Sequence, residues 1–170
     1  MPQWLPLLFF YEGMAVKKEW RLSMTVVGLV TLVAAIHYDY MRDFWVAEQA
    51  TPIVYRYIDW LITVPLLMIE FYIILKAVGA SVSAGSFWRL LVGTLVMLIG
   101  SYLGEAQIVS ALLGFIVGMI GWAIYPLGYV FGYMLGSVDD GSLNIIYNLA
   151  DFVNKILFGL IIWSVATKNA

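Results

Sequence analysis

Lys155 lies near the middle of an apolar stretch, Asn148 to Trp163 (NLADFVNKILFGLIIW), with Asp151 one helical turn before it. Tyr147, Asp151 and Lys155 follow at i, i+4 and i+8, so a helix would set all three on one face. A second apolar stretch, VYRYIDWLITVPLLMIEFYIILK, carries Arg56, Asp59 and Glu70. Arg56 and Asp59 are one turn apart. Asp59 and Glu70 are close to three turns apart, on a common face and roughly 16 Å apart along the axis. His37 stands near the end of a third stretch. A buried lysine either loses its proton or becomes useful by forming a Schiff base with a carbonyl compound. Asp59 and Asp151 could serve such a cation as counter-ions. Glu70, in an apolar setting, is expected to hold its proton at rest. Acid, cation and second acid spread along a bundle interior make a proton relay. A simpler reading makes Asp151 and Lys155 an i,i+4 salt bridge that eases membrane insertion, but it leaves Asp59 and Glu70 without a role.

These charges are costly, because the chain that holds them is built for lipid. It is 63% hydrophobic and 12% charged, with mean hydropathy +0.91. A soluble domain is nearer 45–50% apolar and about 25% charged. A charge at the centre of a membrane helix costs at least about 2.5–3.5 kcal/mol, so each is a functional candidate. There is no cysteine and one histidine, which excludes disulfides, thiolate metal sites and a His-rich metal site. The net charge of −2 argues against nucleic acid as a partner. The start, MPQWLPLLFFYEG, lacks a basic n-region and a small-residue cleavage site, so it does not read as a signal peptide. It is also shorter than the roughly 20 residues that cross a bilayer, and reads as a helix stub.

The elements that position the charges follow from hydropathy. Spans are expected at about 20–41, 54–76, 87–104 and 143–166, with a long uncharged run between Ala106 and Val138. A polar connection, VAEQATP, separates the first two, and GASVSAGS the next. Backbone polar groups must be satisfied within the lipid, so one domain over residues 1–170, made of packed helices, is expected. Lys17, Lys18, Arg21, Lys76, Arg89 and Lys168 mark the cytoplasmic side. Asp43, Glu48 and Glu105 then lie outside. The run 106–138 resists this bookkeeping. Two crossings need about 40 residues and a turn, and the run has only about 30. Either it forms a short hairpin, or it crosses once and inverts the last span. Pro65 and Pro126 are expected to kink their helices.

Trp60, Trp122, Tyr125 and Tyr147 could line an apolar slot, although each alone reads equally well as packing or as an interfacial anchor. Together with the charges they carry a resemblance. RYIDWLITVPLLMIEFYIIL resembles the third helix of the proteorhodopsins, within the microbial (type 1) rhodopsin family. GWAIYPLGY resembles the end of their sixth helix, and IYNLADFVNKILFGLIIW their seventh. SMTVVGLVTLVAAIHYDYMR resembles the second and LLVGTLVMLIGSYLGEA the fourth. The resemblance runs from about Glu12 to the end. It implies an all-α membrane protein, a shortened form of the seven-helix rhodopsin bundle, multi-pass in the inner cell membrane. It implies all-trans-retinal as cofactor, carried on Lys155 as a protonated Schiff base. Asp59 would be counter-ion and proton acceptor, Asp151 the second counter-ion and Glu70 the cytoplasmic proton donor. His37 would pair with Asp59, and Arg56 would steer charge on the release side. Trp60, Thr63, Leu67, Trp122, Tyr125 and Tyr147 would shape the retinal slot. Leu67 falls at the family's colour-tuning position, where Leu goes with green and Gln with blue absorption. The partners implied are the bilayer, retinal and protons; the family often forms rings, which makes a homo-oligomer the expectation.

The chain departs from the family at two places. Its first helix is the stub Pro2 to Gly13, and SALLGFIVGMIGWAIYPLGY reads as the first half of a fifth helix joined to the last half of a sixth. About five full spans, the stub and this fused segment are expected. The function implied is a light-driven outward proton pump, a transporter rather than an enzyme. Three readings compete with it. A retinal photosensor would not need the Glu70 carboxyl. A truncated, non-pumping rhodopsin-like protein would carry no pigment. A non-photochemical transporter has only the buried charges in its favour.

Overall fold

Interior charge and exterior grease set the architecture. The fully buried side chains include Arg56, Asp59, Glu70 and Asp151, while Ile58, Leu61, Ile62, Val92, Val96 and Ile99 are exposed. A soluble fold inverts this pattern; here the apolar exterior faces lipid and the polar groups face one another. The computed structural model describes residues 4–77, 79, 83–118, 145, 147–149 and 151–168. Trp122, Tyr125, Pro126 and most of the expected fifth–sixth junction lie outside the described residues.

The chain is helical throughout its described elements: α1 (Leu5–Ala15), α2 (Lys18–Glu48), α3 (Ile53–Ala77), α4 (Ala84–Glu105) and α5 (Ala111–Gly118), then a π-helical turn (Phe152–Leu157) running into α6 (Phe158–Lys168). Among the described residues, three helices are long and apolar enough to cross a membrane: α2, α3 and Phe87–Glu105 of α4. The stub α1 has 11 residues, about 16 Å of helix, roughly half a hydrocarbon core.

One boundary differs clearly from the hydropathy reading. α2 continues to Glu48, past the expected end near residue 41 and into VAEQATP. Hydropathy falls there, but nothing breaks the helix until Gln49, which takes the left-handed conformation at φ 52°. Its side-chain amide donates to the carbonyl of Val46 (3.3 Å), an orphan acceptor of the helix end, and to that of Trp45 (3.0 Å), which also accepts the Gln49 backbone N–H (2.9 Å). Pro65 sits inside α3, which is continuous across it. Its missing N–H leaves one carbonyl of the preceding turn without a backbone donor.

The stub is packed tightly into the bundle. Phe9 is fully buried, in a cluster with Leu5, Trp20, Met24, Val27, Ile156 and Ile162. Gly159 makes this possible, since a Cβ there would lie 2.9 Å from both Phe9 and Val27. Gly159 is one turn beyond Lys155, so the stub braces the lysine turn from behind. At the other side of the bundle, Gly100 of α4 receives Val117 of α5, which a Cβ would meet at 2.3 Å.

Candidate functional site

α2 and α3 are joined by a short turn and run antiparallel. Contacts between them occur at both ends of the charged face: Ser23 meets Glu70, and His37 meets Asp59. The Ser23 end carries Lys17, Lys18, Arg21 and Lys76, which makes it the inner end.

The last helix runs parallel to α3. Tyr147 meets Glu105 at the outer end of α4, and Asn148 meets Arg56. Asp151 and Lys155 meet Asp59 and its neighbours further in, and Ile162 and Ala166 pack with Leu5 and Trp20. The last span therefore begins outside and ends inside, the order that the hairpin alternative preserves and the single crossing reverses. Tyr147, Asp151 and Lys155 share a buried face, as their spacing predicts.

The centre of the site is the Lys155 amine, 3% exposed. It donates to Asp59 Oδ2 and, at 3.3 Å, to Asp151 Oδ2. The two carboxylates are held differently. Asp151 also accepts from the Tyr38 hydroxyl (2.8 Å) and from the Trp60 indole N–H (3.1 Å to Oδ1). Asp59 has Lys155 on Oδ2, but its Oδ1 is buried without a hydrogen-bond donor among the described residues. His37 Nδ1 lies 3.8 Å from that oxygen and 2.9 Å from the Val33 carbonyl. A ring nitrogen that close to a carbonyl carries a hydrogen and donates it there. His37 is thus within ion-pair range of Asp59, as the resemblance implies, while its Nδ1 hydrogen bonds the Val33 carbonyl.

Around this centre, Arg56 is fully buried, donates to Asn148 Oδ1 (3.3 Å) and lies 5.0 Å from the Tyr147 ring centroid and 5.9 Å from that of Trp60. Thr63 is buried with its hydroxyl on the Asp59 carbonyl (3.0 Å), and Leu67 packs with Val26 and Val30. Glu70 is fully buried and accepts from Ser23 Oγ. An apolar groove of about 350 Å³ separates α3 from the last helix, lined by Leu67, Met68, Phe71, Val153, Leu157 and Phe158 among others.

The sequence reading did not find Ser23, Tyr38, Asn148 or Glu105. A signal for Ser23 existed: in an antiparallel helix pair, fixing His37 opposite Asp59 places Glu70 within about a turn of Ser23. No comparable signal marks Tyr38, Asn148 and Glu105, which look like ordinary interfacial residues.

The donor set fits a retinal imine. It needs an amine in dry surroundings, an anion to hold the cation, and apolar walls. Lys155 supplies the first, Asp59 and Asp151 the second, and Trp60 and Leu67 part of the third.

Comparison with known proteins agrees with this geometry. The model of the bacteriorhodopsin-like protein family matches residues 5–121 and 109–169, two pieces whose overlap falls where the fifth and sixth helices are fused in sequence. The chain belongs to the bacteriorhodopsin-like family, and it is a multi-pass helical membrane protein. Within that family its relatives are proteorhodopsins. It is 46% identical to the green-light absorbing proteorhodopsin of Gamma-proteobacterium EBAC31A08, over 96% of this chain and 81% of that one. It is 45% identical to the blue-light absorbing proteorhodopsin of Gamma-proteobacterium Hot 75m4, with the same coverage. Among solved structures, the blue light-absorbing proteorhodopsin from Med12 superposes with TM-score 0.87 at 46% identity, covering 97% of this chain and 90% of that one. Exiguobacterium sibiricum rhodopsin superposes at 0.76 with 29% identity, covering 95% of this chain and 91% of the other.

Proposed function

We propose that this chain, one transmembrane domain over residues 1–170, binds retinal on Lys155 and pumps protons outward when illuminated. The observation that carries the proposal is the Lys155 nitrogen held between two buried carboxylates, with a third, Glu70, further in along the Asp59 helix. Family membership and relatives named for the light they absorb support it.

Bound to Lys155 as an imine, retinal would supply the light-driven change at that nitrogen. The remaining work falls to the chain. Asp59 receives the proton from the Lys155 nitrogen at Oδ1, the oxygen with no donor of its own. Asp151 is the fixed partner of the Lys155 nitrogen, held by donors from Tyr38, Trp60 and Lys155. Arg56 offsets one of the two negative charges from the outer side. Glu70 returns a proton to the Lys155 nitrogen and is refilled from the inner end. Buried Glu70 favours a pump over a sensor, since a sensor has no use for an inner carboxyl held in this way.

The test is direct. All-trans-retinal added to the membrane-expressed chain gives a visible absorption band that Lys155→Ala abolishes. Illuminated cells acidify their medium, and Asp59→Asn stops this with pigment retained. No band, or a band that survives Lys155→Ala, removes the retinal reading. A band without sustained acidification removes the pump and leaves a sensor or a non-pumping rhodopsin.

A further inference from the structure

The groove between α3 and the last helix has no part in the proton path. Its floor is Leu67, 6% exposed, while Phe71, Val153, Leu157 and Ile161 on its walls are 38–53% exposed. The chain therefore leaves it open on one side. Sequence length agrees: two crossings need about 40 residues, and the run from Ala106 to Val138 has about 30. An open apolar cleft at this depth is filled by something, because a void forfeits the dispersion contacts of its lining.

Shape and chemistry narrow the occupant. The lining side chains are all apolar, whereas a buried water needs about two to four polar partners. Water does not fit. Over the roughly 12 Å from Val153 to Ile161, about 350 Å³ gives a cross-section of about 30 Å². A helix about 10 Å across needs about 80 Å², so a helix of a second copy does not fit either. An extended hydrocarbon chain does. The last helix also shows where such a chain ends. Val153, Leu157, Ile161, Val165 and Lys168 follow at i, i+4, i+8, i+12 and i+15, on one face. The apolar row of the groove thus ends in a lysine. Lys168 is exposed and has no hydrogen bond or ion pair among the described residues. Its counterpart on α3, Lys76, instead lies over the Tyr72 ring, 5.0 Å from the centroid. Lys168 stands roughly 20 Å of helix inward of Lys155, about the distance from the bilayer centre to the headgroups. A lysine anywhere in the last turn suits the helix dipole, so the dipole does not explain its place on the face of the groove.

We propose that this groove binds one acyl chain of an anionic phospholipid from the inner leaflet, with the headgroup held at Lys168. The tail lies between α3 and the last helix and ends beside Leu67. It gives Leu67 and Phe158 the apolar contact that a further helix would give in a longer bundle. The Lys168 ammonium meets the headgroup phosphate, and a headgroup with net negative charge is preferred because it brings no cation of its own to that contact. The site does not depend on retinal: its parts are the groove and the lysine at its mouth.

The test is photolabelling of the retinal-free full chain in phosphatidylcholine vesicles that contain a minor share of phosphatidylglycerol with a diazirine near the end of one acyl chain. Labelled residues are mapped by mass spectrometry. Label concentrates on Leu67, Met68 and Val153 over Leu29 and Leu32, which are also exposed to lipid, on α2. Lys168→Glu, a change at an exposed position, lowers the groove label by about fivefold, the effect of one lysine near an anionic surface. Leu157→Trp fills the groove from an exposed position and removes the label. Equal labelling of the α2 residues and the groove overturns the proposal. So does equal groove labelling by the same diazirine lipid with a phosphatidylcholine headgroup, or groove label that persists in Leu157→Trp. No readout here uses pigment, so a chain that stays colourless with retinal yet takes the label loses the pump reading and keeps this site.

Discussion

Ser23→Ala isolates the inner half of the relay with the smallest change the structure offers. Ser23 Oγ donates to Glu70 Oε1, and both side chains are fully buried. Removing the hydroxyl leaves Glu70 in place, and no charge is created. The effect on transfer comes from a difference between two hydrogen bonds. A bond to a neutral carboxylic acid contributes about 1 kcal/mol, and one to a carboxylate about 2 kcal/mol. As Glu70 gives up its proton the first becomes the second, so Ser23 favours the transfer by about 1 kcal/mol. Most of that gain is felt in the barrier if the proton has largely left in the transition state. Its loss slows refilling of the Lys155 nitrogen by about fivefold. Flash photolysis of the retinal-loaded chain reads this as the lifetime of the deprotonated nitrogen. Ser23→Thr, which keeps the donor, stays close to wild type, and Glu70→Gln marks the slow limit. A wild-type lifetime in Ser23→Ala alongside a slow Glu70→Gln would refute the reasoning, because the carboxyl would then work without its donor.

Three further outcomes follow from the same geometry. Lys155→Ala removes the cation that Asp59 and Asp151 share, which costs about 3–5 kcal/mol on removing one partner of a buried pair; adding Asp59→Asn recovers part of it, measured as the midpoint of denaturant unfolding in mild detergent. Gly159→Leu drives a side chain into Phe9 and Val27 and destabilises by about 1–3 kcal/mol or more, read as a lower temperature for loss of pigment. Leu67→Gln shifts the absorption band to shorter wavelength, as the family resemblance implies; an unmoved band would place Leu67 away from the chromophore.

What could be read in advance was the periodicity of charge along each helix. Asp59 and Glu70, or Tyr147, Asp151 and Lys155, are costly in lipid and fall on common faces, and the structure buries every one of them. Helical spacing alone was enough for that. Partners across helices were harder, because they depend on register and on which helices touch. Ser23 gave no signal until α2 and α3 were aligned, and Tyr38 lies in a stretch, HYDYMRD, that reads as an interface. The end of α2 was misplaced for a related reason: hydropathy records where lipid stops, whereas a helix continues until something such as Gln49 ends it.

The direction of the last helix shows most clearly what sequence lacks and contacts supply. Counting residues between Ala106 and Val138 left two topologies, with the order Asp151 then Lys155 reading outward in one and inward in the other. Five contacts at different depths decide between them: Glu105 with Tyr147, Arg56 with Asn148, Tyr38 with Asp151, Asp59 with Lys155, and Trp20 with the Ile162 cluster. They step from the outer end to the inner in the numerical order of the last helix. A reversed helix would pair Lys168 with the outer acids and carry Tyr147 to the basic inner end, and no single one of the five contacts would survive. The register that places Lys155 between two acids is therefore the same one that places Tyr147 on Glu105.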